Sequence, residues 1–373
     1  MRRFIQFGSF LLTLASVARA DDHKSYPFAE APVKALEKSA ELQKVSGQKS
    51  TTSPDEWRLF RDAADGKLQR WSFADAALLA SGVTDAARRK DYLAKIDALE
   101  MQAREATGGA KTAAEKGEAL LKFVHSKVLA KKGYSAEQTD LHVLLDTGKF
   151  NCVSSAMIYN ILAARVGLKG RFVELPAHNG HVFAVLHDGD QALEVETTTS
   201  YGFNPGRDHS QKAKYKELGI PYIGEIKNKD KREIGDFQLL AVIYANRVSV
   251  LHKKERYHEA LTAALSACCL DRDSVLACNN TLAAISMWER ALSKSGKFED
   301  AVAVAVYGFK LGPTNETLRK IAEFAYGAWA RSHYKSNWDE AIRIYDAGLK
   351  DMPGNKHLEQ SRKYCLQERN RGK

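Results

Sequence analysis

The chain has 373 residues, five cysteines and a formal charge of +10. That length leaves room for two domains with sizeable cores. Lys and Arg are spread along the chain and alternate with Glu and Asp, so the charge reads as a mildly basic solvated surface, and no nucleic-acid partner is expected.

The N-terminus has the form of a secretory signal over residues 1–20. Arg2 and Arg3 form a positive start, Phe4 to Val17 is an apolar stretch too short to span a membrane, and Ala18-Arg19-Ala20 is a cleavage site. Losing those three arginines lowers the charge by three, to +7. The expected location is periplasmic or extracellular, and no later run is long and apolar enough for a transmembrane segment. Residues 21–52 are polar and weakly periodic and read as a flexible tether with at most a short helix.

Residues 53–111 read as a helical lead-in. Ser53-Pro54-Asp55-Glu56 is a capping box with proline at the first helical position. Further helices are expected from Ser72 towards Gly82, from Thr84 to the Gly108-Gly109 break, and from Thr112, whose apolar side carries Leu120, Leu121, Phe123 and Val124.

The stretch from 150 to 199 holds the chemistry. Asn151 is a good N-cap, so Cys152 opens a helix that Gly167 stops. Unpaired N–H groups and the helix dipole at that position favour a thiolate. Strands are expected at Arg171–Leu175, His181–His187 and Ala192–Thr198. Asp188-Gly189 suits a two-residue type I′ turn, which would pair His187 with Asp190 and set His181 directly opposite Glu196. Thiol, imidazole and carboxylate would then stand in line, as a base-activated nucleophile requires. The plainer reading of Cys152 is a buried small apolar residue, and His181 could be an ordinary strand histidine. Glu194 is the rival acid, sharing the face of Glu196. His178 and His187 lie at poorer positions. The oxyanion donor is not legible: the backbone N–H of Cys152 is a generic candidate, and Asn151 or a residue of the 135–150 segment is the other.

A cysteine opening a helix, followed by a histidine on one strand and an acid on the next, resembles the transglutaminase-like branch of the papain-like cysteine fold. The wording FNCVSSAMIYNILAARVGL, GHVFAVL and LEVETT carries the likeness, with Val195-Glu196-Thr197-Thr198 where the family often reads V-D-P-T. It looks most like bacterial proteins that join such a domain to tetratricopeptide repeats, over roughly residues 112 to 350. The resemblance implies a transglutaminase-like domain over 112–232 with Cys152, His181 and Glu196 as catalytic residues. Water as acceptor would make it a protease or amidase, and an amine would make it a transglutaminase. The alternative is a catalytically silent domain serving as a protein-interaction scaffold.

Tyr201 to Asp236 reads as irregular and is longer than an ordinary connection, as lids and interdomain linkers are. From Phe237 the grammar becomes helical hairpins. Tyr257, Phe298 and Trp338 recur at spacings of 41 and 40, each followed three residues later by alanine. Residues 237–373 are therefore expected to form tetratricopeptide-like repeats that stack into a solenoid and hold a peptide or protein on a concave face. The recurring aromatics are helix packing, not a cofactor box. No cofactor is expected. No cysteine spacing forms a zinc pair, so no metal is expected either. The odd cysteine count leaves at least one thiol, with Cys152 the natural one. The expected fold is α+β: a helical N-terminal region, a small antiparallel sheet packed on the cysteine helix, then an all-α solenoid.

Overall fold

The computed structural model describes residues 28–47, 52–131, 133–178, 180–207 and 209–371; the signal sequence read at 1–20 lies outside them. The described residues form two compact units, divided between Ala277 and Cys278. The architecture is α+β: helices throughout, with one four-stranded antiparallel sheet. Among the described residues no helix is long and apolar enough to cross a membrane.

The first unit begins with α1 (Pro32–Ser39) and α2 (Gln43–Ser46), inside the stretch read as a tether. That reading is corrected for residues 28–47. Phe28, Ala35, Leu36 and Leu42 are buried. Ala29 N–H donates to Leu311 O at 2.9 Å and the Tyr307 hydroxyl to Ala35 O at 2.8 Å. A few apolar residues on one face, masked by a polar composition, are enough to dock the segment.

The second unit opens with the helical lead-in. Helix α3 (Pro54–Ala64) has its capping box, with Ser53 Oγ accepting from Glu56 N and Glu56 Oε2 accepting from Ser53 N. Then come α4 (Phe73–Ala80) and α5 (Ala86–Thr107), the latter capped by Asp85 rather than Thr84. Helix α6 (Ala113–Phe123) passes into a π-turn over Val124–Val128. A short α7 (Leu141–Thr147) delivers the chain to α8 (Cys152–Arg165). Every residue of α8 from Val153 to Ala163 is buried, as expected for a helix that is apolar or small on all sides.

Strands β1 (Lys169–Leu175), β2 (His181–Asp188) and β3 (Gln191–Val195) follow. The irregular stretch contains α9 (Lys212–Leu218) and β4 (Arg232–Ile234), which sequence periodicity did not reveal. The sheet order is β3-β2-β1-β4. Gly170 in β1 lacks the Cβ that would meet Asn160 at 2.4 Å, and the Asn160 amide donates to Arg171 O at 2.7 Å. That bond ties α8 to the sheet. On the face that carries His181, residues Val173, Leu175, Phe183 and Val185 pack with Ile223 from the long connection. Helices α10 (Asp236–Lys253) and α11 (Tyr257–Leu270) close this unit. Tyr244 of α10 donates to Glu56 Oε1 at 2.8 Å, and Arg247 to Ala80 O at 3.0 Å.

The repeat grammar is visible in the remaining helices: α12 (Val275–Lys294), α13 (Phe298–Leu311), α14 (Glu316–Ser332), α15 (Trp338–Asp351) and α16 (Lys356–Arg371). No strand occurs among the described residues beyond 237. Tyr257, Phe298 and Trp338 each open a helix, and the alanines three residues on, Ala260, Ala301 and Ala341, are fully buried. Ten residues after each aromatic stands Ala267, Gly308 or Gly348. A Cβ on Gly308 would lie 2.9 Å from Ile285, and one on Gly348 would lie 2.9 Å from Leu358. Small side chains at those points let the helices of each hairpin approach.

Tyr244→Phe should lower the unfolding free energy by about 1–3 kcal/mol, because it strands a buried acceptor of Glu56. Urea melts measure this, and an unchanged midpoint would show that Glu56 finds another donor.

Candidate active site

The N-terminus of α8 is held by side chains on all sides. Asn151 Oδ1 accepts from the backbone N–H groups of Val153 and Ser154, both at 3.0 Å, and Ser154 Oγ accepts from Asn151 N at 3.0 Å. The Asn151 amide donates to Thr139 Oγ1 at 2.9 Å and to Ala136 O at 3.1 Å. Asn246 of α10 donates to the same threonine oxygen at 3.1 Å. Cys152 thus sits in the first turn as a half-buried free thiol.

His181 opens β2 and is buried at 6% exposure, beside a Glu196 that is fully buried. His181 Nε2 meets Glu196 Oε2 at 2.6 Å. The other carboxylate oxygen, Oε1, accepts from Thr198 N at 3.0 Å and from Thr198 Oγ1 at 2.6 Å. Cys152 lies close enough to His181 to bear on its protonation. With Nε2 on the glutamate, Nδ1 is the nitrogen left for the sulfur. Cys152, His181 and Glu196 are brought together in that order.

The route to this contact differs from the one the sequence suggested. The hairpin turn is Gly189-Asp190, and Asp188 pairs with Gln191. Gly189 has φ +59 and Asp190 is not in the left-handed region, so only the first turn position needs glycine, as a type II′ turn does. Asp188-Gly189 as a type I′ turn is therefore corrected, and so is the direct cross-strand pairing of His181 with Glu196. Continuing the observed register puts Glu196 opposite Phe183, one diagonal step from His181. A slip of two residues keeps every side chain on its face, whereas a slip of one would not. Glutamate is long enough to bridge the diagonal. Glu194, paired with Val185, is a step further away and is engaged by Lys231.

β3 ends at Val195, and the chain then folds back on itself. Glu196 N–H donates to Gly202 O at 2.8 Å. A Cβ on Gly202 would lie 2.0 Å from Glu196 O, so only glycine fits where the turn closes. His178 is exposed in a 3-10 turn, and His187 stands 3.3 Å from Glu233 at the far end of the hairpin. Neither joins the site.

Sequence reasoning missed two side chains here. His125 stands on the π-turn, and its Nε2 donates to Thr197 O at 3.1 Å. π-turns often accompany functional sites, but nothing local in the sequence marks this one. Tyr134 forms a parallel bridge with Phe150, and its ring meets Phe150 edge-on at 5.8 Å. His125 also packs edge-on against Phe150, with ring centres 6.3 Å apart.

The two histidines are driven in opposite directions. Burial holds His125 below the usual histidine range, and the bond to Thr197 O and the Glu196 charge only partly offset it. Burial also opposes charge on His181, but Glu196 and Cys152 outweigh it and push His181 up to about 10. One imidazole is neutral and the other is charged within a single site, a division that suits acid–base chemistry.

No family profile and no curated protein matches the chain. Among solved structures, a crystal structure of menin that reveals the binding site for Mixed Lineage Leukemia (MLL) protein is similar at a TM-score of 0.35 and 14% identity, covering 87% of this chain and 79% of that one.

The shift of His181 sets a pH dependence. Its folded value lies above the ordinary 6.5, so the stability it contributes is complete below about pH 6.5 and is lost as pH rises through about 10. Urea melts of the wild type and Glu196→Gln should therefore converge on going from neutral to strongly alkaline pH. Curves that stay parallel would show that Glu196 does not hold the imidazolium.

Proposed function

We propose that the chain is an exported, thiol-dependent acyl-transfer enzyme of the transglutaminase-like kind, with tetratricopeptide-type hairpins after it. The observation that carries this reading is the buried His181, bonded to Glu196 at 2.6 Å and acted on by the thiol that opens α8. Base and orienting acid are bonded and the thiol acts on the base, the order that base-activated attack needs.

The step runs as follows. Cys152 Sγ, its proton resting on His181, adds to the carbonyl carbon of an amide or ester, and the C=O π pair moves onto oxygen. The tetrahedral species collapses, the bond to the amine or alcohol breaks, and His181 gives its proton to the leaving group. Water or an amine then attacks the thioester while His181 takes up the proton of that acceptor, and the Cys152 sulfur leaves with the bonding pair. Glu196 holds the ring with Nδ1 towards the sulfur and stabilises the imidazolium whenever the ring carries the proton. Thr198, through its N–H and hydroxyl, keeps the Glu196 carboxylate in place.

Iodoacetamide labelling near pH 6 tests the nucleophile, since the thiolate is the reacting form. Cys152 should be labelled much faster than a free thiol, and labelling at free-thiol speed would sink the reading. Cys152→Ala and His181→Ala should abolish acyl transfer. Glu196→Gln should reduce kcat less severely, because the ring keeps an acceptor on its orienting side while losing the charge. Glu194→Gln should leave the rate nearly unchanged, as its carboxylate faces Lys231.

A further inference from the structure

Resting on that acyl-transfer reading, attack by Cys152 places negative charge on the carbonyl oxygen, and such an oxygen needs donors aimed at it. One is present by construction. Cys152 is the first residue of α8, and the backbone N–H at that position has no intrahelical acceptor. A second donor has to come from a neighbouring group.

Most polar groups around the thiol are already committed. The Asn151 amide is spent on Thr139 and Ala136, and its oxygen on the N–H groups of Val153 and Ser154. Ser154 donates to Gln138 O at 2.8 Å. Ser155 lies 2.9 Å from Thr197 Oγ1 and 3.3 Å from Cys152 O. Thr198 donates to Glu196, and His125 Nε2 donates to Thr197 O. Each of these bonds builds the cap or holds the acid.

Tyr134 differs. Its backbone is pinned to the strand-like approach to Cys152: Phe150 N donates to Gly133 O at 2.9 Å, and Ser135 N donates to Phe150 O at 2.8 Å. Its ring rests edge-on against Phe150, two residues before the nucleophile. The side chain is nevertheless 46% exposed. Its hydroxyl has no hydrogen-bond partner among the described residues, whereas those of Thr139, Thr197 and Thr198 are engaged; Thr199 Oγ1 is also unpartnered but is buried. An open, unspent O–H anchored on Phe150, two residues before the thiol that starts a helix, is the feature to explain.

We propose that Tyr134 supplies the second oxyanion donor, acting with the Cys152 backbone N–H on the substrate carbonyl oxygen. As sulfur adds and the π pair moves onto oxygen, the tyrosine O–H strengthens its bond without giving up the proton. The proton of the thiol stays on His181 and goes to the leaving group. Burial, with the charges of Cys152 and Glu196, pushes the Tyr134 hydroxyl up to about 12. It therefore remains a donor at any working pH.

The test separates thiol reactivity from oxyanion stabilisation. Alkylation by iodoacetamide displaces iodide at a saturated carbon and forms no oxyanion, whereas acylation by p-nitrophenyl acetate does. In the full chain, Tyr134→Phe keeps the ring against Phe150 and removes only the hydroxyl. Its acylation rate constant, read from p-nitrophenolate release and acetyl mass on Cys152, should fall on the order of 10²-fold, with alkylation of Cys152 unchanged. An unchanged acylation rate overturns the role of Tyr134 alone. Equal falls in both reactions also overturn it, by showing that the hydroxyl supports the thiolate. A wild-type chain that is alkylated at Cys152 but never acylated overturns the acyl-transfer reading, and this proposal with it.

Discussion

The site depends on one buried charge. Glu196 is fully enclosed, and an enclosed carboxylate is tolerated only when its oxygens are satisfied. Here Oε2 takes His181 and Oε1 takes both donors of Thr198. His181 is in turn held charged at neutral pH although burial alone would discharge it. Removing the carboxylate would leave the imidazole to burial, as His125 is left. The pair therefore decides at once the ring's orientation, its protonation and which nitrogen faces the sulfur.

The rest of the second unit keeps that pair and the thiol in register. Thr139 is the joint: it accepts from Asn151 at the start of α8 and from Asn246 on α10. Helix α10 is further anchored to the lead-in through Tyr244 and Arg247. The lead-in helices thus brace the helix that braces the cap before Cys152. Gly202 closes the turn behind Glu196, and His125 holds the carbonyl of the next residue. The placement of the sulfur comes from these supports.

The helical hairpins rest on a different constraint. Their packing depends on small residues at fixed offsets from each opening aromatic, so that backbones approach closely. Helices α10 and α11 follow the same grammar as those after them, yet belong with the sheet-bearing unit. Local helix grammar states what a segment is, and leaves open which core it joins.

Much was legible in one dimension because its causes are local. Caps at Ser53, Ser72, Thr112 and Asn151 name helix starts, since a side-chain oxygen meets a backbone N–H three residues away. A short apolar run ending at a turn pair marked β2, and the recurring aromatics marked the hairpins. The residues Cys152, His181 and Glu196 could be named because strand parity places the last two on one face whether the register is direct or slipped by two. The register itself could not be read, because Asp188-Gly189 and Gly189-Asp190 both satisfy a two-residue turn and only packing chooses between them. β4 was invisible for the same reason: three residues without a pattern become a strand only where β1 offers an open edge. Tyr134 and His125 reach the site through contacts with Phe150 and Thr197, some 16 and 72 residues along the chain. Local signals carry no information over such separations, so it was the tertiary fold that brought them to the thiol and the acid.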